Sequence, residues 1–250
     1  MKNIKVRTKL TIIVALVLVL VVSESFISIQ NMNQLKNKAL ETMDTSSRQN
    51  YDDSIKEQVG VVISLLSEIN NEYKAGRYSL DEAKKIAADE IRQMRYGNGG
   101  YFWVDQSDGK NIVLLGNSTE GTNHMNTKDA EGYQMVKEII RVAVQDGGGY
   151  TDYVFPKEGE TEPSPKRSYS EYFKPFDWVV GTGNYTDYID TAIAQQDEEF
   201  TSYASSKAIS LILCSVCMLI VVAILVALIA IDITKSLRKI KEQFEVIAGG

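Results

Sequence analysis

The chain has 250 residues, of which 44% are hydrophobic and 24% charged, and its formal net charge is −6. This composition excludes wholesale disorder and a collagen-like chain. Two cysteines exclude a disulfide-stapled scaffold, and the acidity argues against nucleic acid as a partner.

Two segments are too apolar for a water-facing surface. Leu10 to Val22 reads LTIIVALVLVLVV and continues through Glu24 and Phe26 to Ile29; Ala208 to Ile231 is 24 residues without a charge. A bilayer core needs about 20 apolar residues in a helix. The second segment is therefore read as a transmembrane helix. The first is read as an uncleaved signal anchor, since no small-x-small cleavage site follows it; a signal peptide is the alternative. Lys2, Lys5, Arg7 and Lys9 precede the first span, and Lys235, Arg238, Lys239 and Lys241 follow the second. Residues 10–231 carry a net charge of −11. The positive-inside rule then places both tails in the cytoplasm and the intervening domain outside the cell membrane. The expected organisation is a tail over 1–9, spans over 10–29 and 207–231, an external domain over 30–206 and a juxtamembrane segment over 232–250. Cys214 and Cys217 are read as small apolar residues within the second span rather than as a redox pair.

The external domain opens with a helical pattern. Met32, Leu35, Ala39, Met43, Tyr51, Ile55, Val59, Val62, Leu66, Ile69 and Tyr73 recur mostly at steps of three or four. Ser46, Ser47, Asn50 and Asp52 suggest a kink or break, and Ala75-Gly76 ends the helix. Ser79 and Glu82 form a capping box for a second helix, which stops at Gly97-Asn98-Gly99-Gly100. GYFWVDQSDGKNIVLL then reads as a hairpin around Ser107-Asp108-Gly109. After a polar stretch from Gly116 to Gly132, a helix carrying Met135, Val136, Ile139, Ile140 and Ala143 ends at Gly147-Gly148-Gly149. Three strands follow at Tyr150 to Phe155, Lys166 to Tyr172 and Trp178 to Tyr185, and a last helix from about Thr186 leads into the second span. The fold class is α+β, with about five mostly antiparallel strands and a long N-terminal helix.

GYFWVDQSDGK, the long preceding helix and GGGYTDYVFPKEGETEPSPKRSYSEYFKPFDWVVGTGNYTDYID closely resemble the extracellular single-Cache domain of bacterial methyl-accepting chemotaxis receptors, over about residues 32 to 200. ITKSLRKIKEQFEVIAGG resembles the first helix of a HAMP linker, although Ser236 stands where the family usually has proline. Ile233, Leu237, Ile240, Phe244 and Ile247 step 4, 3, 4, 3, as a parallel coiled-coil seam does. That seam and the long first helix suggest a parallel homodimer. The resemblance implies a PAS-like sensor domain between two transmembrane helices, acting on cytoplasmic signalling partners through a region beyond residue 250. It also implies a small metabolite, often a short organic acid, as ligand. A sensor histidine kinase or cyclic-dinucleotide enzyme is the alternative output.

No pattern suggests catalysis, a cofactor or a metal site, so the chain is not read as an enzyme. His124 is read as a solvated loop residue, with a ligand contact or pH sensor as the alternative, and Asp105 and Asp108 as turn residues. Aromatic residues crowd the strands, with Arg95, Lys166 and Arg167 beside them. A cation among aromatic hydrogen-bond donors suits a small carboxylate. The candidate ligand-binding residues are Arg95, Tyr101, Trp103, Tyr153, Lys166 and Tyr169, with Lys166 or Arg95 supplying charge. Many relatives have His-Pro near the position of Leu115-Gly116, so the imidazole found there in the family is missing.

Overall fold

A computed structural model describes residues 6–97, 99–157 and 159–248. Lys2, Lys5, Asn98 and Gly249-Gly250 lie outside the described residues, as do the side chains of Arg7, Lys241, Phe244, Glu245 and Ile247. The chain divides into two compact units, one holding the residues up to Glu41 and from Ala194 onward, the other Thr42–Ile193.

Two helices pass through both units: α1 (Val6–Lys74) and α4 (Asp187–Ala248). In the first unit they lie side by side. Lys36 Nζ donates to Asp197 at 2.8 Å, and the hydroxyls of Ser25 and Ser215 are 3.0 Å apart. Each helix contains a stretch long and apolar enough to cross a membrane. Those stretches turn their apolar side chains outward, as at Leu20 and Leu213, and Cys214 and Cys217 are exposed and free. The break expected at Ser46–Asp52 is absent, because α1 is continuous there. Tyr51 and Ile55 enter the core, and Arg48 pairs with Asp44 one turn back at 2.8 Å. Tertiary burial outweighs the poor helix propensity of serine, asparagine and aspartate.

In the second unit α2 (Leu80–Gln93) opens on the reciprocal Ser79–Glu82 capping box. The strands are β1 (Arg95–Tyr96), β2 (Gly100–Gln106), β3 (Asn111–Leu114), β4 (Gly149–Pro156), β5 (Pro163–Phe173) and β6 (Trp178–Tyr185), with α3 (Met135–Asp146) before β4. All pairings are antiparallel, in the order β1-β2-β6-β5-β4, and β3 also pairs with β2. Among the described residues there are six strands, where the sequence pattern indicates about five. The extra one, Arg95–Tyr96, is too short to show a period. β5 also begins earlier than Lys166. Pro163 and Pro165 pair with β4 only, while β6 reaches no farther than Lys166, so their missing N–H groups interrupt no second ladder. Lys174–Phe176 form a single 3₁₀ turn, which Asp177 closes in the left-handed region.

The period of two along the strands separates two cores. On one face, Val59, Val62 and Leu66 of α1 and Ala83, Ala87 and Ile91 of α2 pack against Phe102, Val104, Phe173, Phe176, Trp178 and Val180. On the other, Met135, Val136, Ile139, Ile140 and Ala143 of α3 pack against Tyr101, Trp103, Tyr153 and Val179. Helix α1 is also held to β5 by polar contacts. Arg167 grips Asp52 through Nε at 2.6 Å and Nη2 at 2.8 Å, and the Tyr51 hydroxyl donates to the Arg167 carbonyl at 2.6 Å.

One close approach depends on glycine. Gly181 of β6 lies opposite Trp103 of β2, and the indole rests directly on it, so a Cβ at 181 would stand 2.4 Å from the ring. Gly181→Ala therefore lifts the indole off the sheet. It should cost about 1–3 kcal/mol and change the fluorescence of Trp103, measured by thermal melting and emission spectra with Trp178 as the internal reference. Leu66, fully buried under the sheet, provides a second check. Leu66→Ala should lower unfolding stability by about 2–5 kcal/mol in denaturant titration.

Candidate functional site

On the α3 face a cavity of about 190 Å³ opens between the sheet, α3 and the loop that follows β3. That is room for roughly six waters, the size of a short organic molecule rather than a drug-sized one. β2 contributes Tyr101, Trp103 and Asp105, three same-face positions in succession. Tyr153 and Phe155 come from β4, Lys166 from β5 and His124 from the loop.

Lys166 is 2% exposed. Its Nζ donates to the Tyr101 hydroxyl at 2.8 Å and lies 4.6 Å from the Tyr101 ring centroid, 5.1 Å from Phe155, 5.2 Å from Tyr185 and 5.5 Å from Trp103. Among the described residues it makes no salt bridge, since no carboxylate lies within 4.0 Å of it. Burial pulls its pKa down from the ordinary lysine value to about 7. The aromatic faces offset part of the cost of an unpaired ammonium. Burial also holds the phenol of Tyr153 well above its ordinary range, so it stays protonated.

The opposite pole is built on Asp105, also 2% exposed. Its Oδ1 accepts from Asn111 Nδ2 at 2.9 Å and meets His124 Nε2 at 2.7 Å. The loop carrying His124 is tied down at several points. The Glu120 carboxylate accepts from the amides of Leu114 and Gly116 at 2.7 and 2.8 Å and from Arg92 Nε at 2.9 Å. Burial alone would raise the Glu120 pKa, but those amides and the Arg92 guanidinium hold it below the ordinary value. They also fix the turn in which Leu115 adopts φ 57°. Further on, the His124 amide donates to the Gly109 carbonyl at 2.9 Å, and Asn123 Nδ2 to the Asp108 carbonyl at 2.7 Å.

Tyr101, Trp103, Tyr153 and Lys166 thus share one cavity; the other two candidates lie elsewhere. Arg95 is exposed on β1. Although it pairs in register with Tyr101, its guanidinium folds back onto the carbonyls of Arg92 and Met94, at 2.9 and 2.7 Å, where α2 ends. Helix ends leave such carbonyls open, and an arginine nearby satisfies them. Tyr169 is three residues from Lys166 on the same strand, an odd spacing, so it faces α1. There it packs on Tyr150 at 5.0 Å, with Lys56 over its ring. Two corrections run the other way. His124 is half-buried at the cavity instead of solvated, and Asp105 is a buried cavity residue rather than a turn residue. The spacing of Asp105 from Tyr101 and Trp103 carried that signal. Nothing local marked His124, which long-range loop packing brings in. The imidazole at the cavity comes from that loop and not from Leu115-Gly116.

The chain is similar to the methyl-accepting chemotaxis protein McpP of Pseudomonas putida, with 29% identity over 70% of this chain and 30% of that protein. It is also similar to the sensor histidine kinase MctS of Rhizobium johnstonii, with 32% identity over 70% of this chain and 37% of that one. The chain thus spans about a third of the length of these relatives. Among solved structures it matches a Cache chemosensory domain described for its recognition of carboxylic acids, at 27% identity over 56% of this chain and 97% of that one, with a TM-score of 0.54. The family model for Single Cache domain 2 matches residues 47–199, and the chain belongs to the single Cache family.

Proposed function

We propose that this chain is the sensing part of a transmembrane chemoreceptor. Its domain lies outside the membrane and binds a short organic acid in the cavity, and α4 carries the signal to a cytoplasmic output. The observation that carries this reading is the Lys166 amine, buried among aromatic rings without a carboxylate partner among the described residues. A small ligand has little area to bury, so charge-assisted bonds must supply much of its affinity. The relatives support a receptor role, and the Cache domain that recognises carboxylic acids supports the ligand class. The basic flanks of the two apolar helices support the orientation. A second reading, the input domain of a sensor histidine kinase, is favoured by the similarity to MctS over the same share of the chain.

Lys166→Met should weaken binding of short carboxylates about ten- to a hundredfold, the loss of one hydrogen bond to a charged group, as measured by calorimetry. The same variant should raise the melting temperature of the ligand-free protein, because it removes a buried charge without a counter-ion. A melting temperature that falls, with affinity unchanged, would refute the assignment.

Binding should also depend on pH. A bound carboxylate favours the protonated amine, so the Lys166 pKa rises on binding and the complex takes up protons above pH 7. Affinity then falls with pH above about 7, by up to tenfold per unit, and the measured enthalpy varies with the ionisation heat of the buffer. Tyr101, Tyr153 and Tyr185 face the same amine, and Asp105 and His124 stand at the other pole, so Lys166→Met is the control that isolates its share. In the ligand-free protein the sign reverses. Between about pH 7 and the ordinary lysine value the unfolded chain holds more protons than the folded one, so this group makes stability rise with pH.

A homodimer assembled along α1 completes the proposal. Single cysteines introduced along 32–45 should crosslink between subunits with helical periodicity, read by non-reducing electrophoresis. Crosslinking without that period would count against it.

A further inference from the structure

We infer that the cavity selects carboxylates whose far end carries a hydrogen-bond donor, a hydroxyl or an ammonium, and that Asp105 and His124 read that donor. The inference rests on the assignment of Lys166 as the seat of the acid group. Tyr101, which holds Lys166, and Asp105, which holds His124, point to the same face of β2. Four residues of strand separate them by roughly 13 Å at the backbone, with the apolar Trp103 between. The cavity therefore has two polar poles and an apolar middle.

The far pole offers acceptors. An ionised carboxylate can only accept, so His124 Nε2 must carry its hydrogen toward Asp105 Oδ1. In a neutral imidazole that fixes Nδ1 as an acceptor. Among the described residues neither His124 Nδ1 nor Asp105 Oδ2 has a hydrogen-bond partner. Nearby donors are already engaged or solvated. The Asn111 amide donates to Asp105, the Thr119 hydroxyl lies 3.4 Å from Asn111 Oδ1, and Asn117 and Thr127 are exposed. An alkyl end would leave these two acceptors unmatched. A keto oxygen or a second carboxylate would set lone pair against lone pair, beside a negative charge.

The test is calorimetry on the full chain, solubilised in detergent, with three- and four-carbon acids that differ only at the far end: methyl, hydroxyl, ammonium or carboxylate. For three carbons these are propionate, 3-hydroxypropionate, β-alanine and malonate. The hydroxy or the amino acid should bind at least about tenfold more tightly than both the alkyl acid and the dicarboxylate, and whichever of the two leads identifies the donor. In His124→Leu and in Asp105→Asn that ratio should collapse to within about twofold. Should Asp105→Asn fail to fold, His124→Leu decides. Equal affinity for the alkyl acid, tighter binding of the dicarboxylate, or a preference that survives both substitutions would overturn the inference while leaving Lys166 as the acid seat. If none of the acids binds, the carboxylate reading itself is wrong and this inference goes with it.

Discussion

A lysine amine buried among aromatic rings, with no carboxylate within 4.0 Å among the described residues, is the constraint around which this domain is arranged. Ionised groups are seldom taken out of water unless paired, because desolvation costs several kcal/mol even after relaxation. Here the surroundings lower that cost without cancelling it. Aromatic faces stand close to Lys166 Nζ, one phenol accepts its hydrogen, and the amine's proton is held weakly. An internal carboxylate would have paired with the amine. Without one among the described residues, an anion from solution that paired with Lys166 would stabilise the folded domain by mass action.

The neighbouring residues serve the same end. Serines at 168 and 170 follow Lys166 on its face of β5 and leave room for α3, whose Ile139 carbonyl accepts from the Ser170 hydroxyl at 3.2 Å. Glycine at 181 lets the Trp103 ring lie against the sheet. Glu120 holds the turn that leads to His124.

The fold was legible in the sequence where local physics decides it. The capping box, the stop at Gly147 and the alternation of apolar strand residues each act over a few positions, and each mark a boundary. The chain's passage through Ser46–Asp52 was less legible, because those residues are poor helix formers and the burial that overrides them comes from the sheet. At the site, period two placed Tyr101 beside Trp103. The same rule, applied to Lys166 and Tyr169, sets them on opposite faces. Arg95 was misleading for a different reason: its charge had a nearer use at the end of α2. His124 could not be found by any periodic rule, since its place depends on Glu120, Gly109 and Asp108 together.

Lys166 and Arg167 are successive residues of one strand, facing opposite sides of the sheet. One touches the cavity; the other grips Asp52, while its carbonyl takes the Tyr51 hydroxyl. The peptide plane between them is stiff. Whatever moves the backbone at Lys166 therefore moves Arg167 by nearly the same vector, and α1 is held at that point by two side chains in sequence. The cavity wall and the hold on α1 are adjacent links of one backbone, so a shift imposed on either is felt at the other.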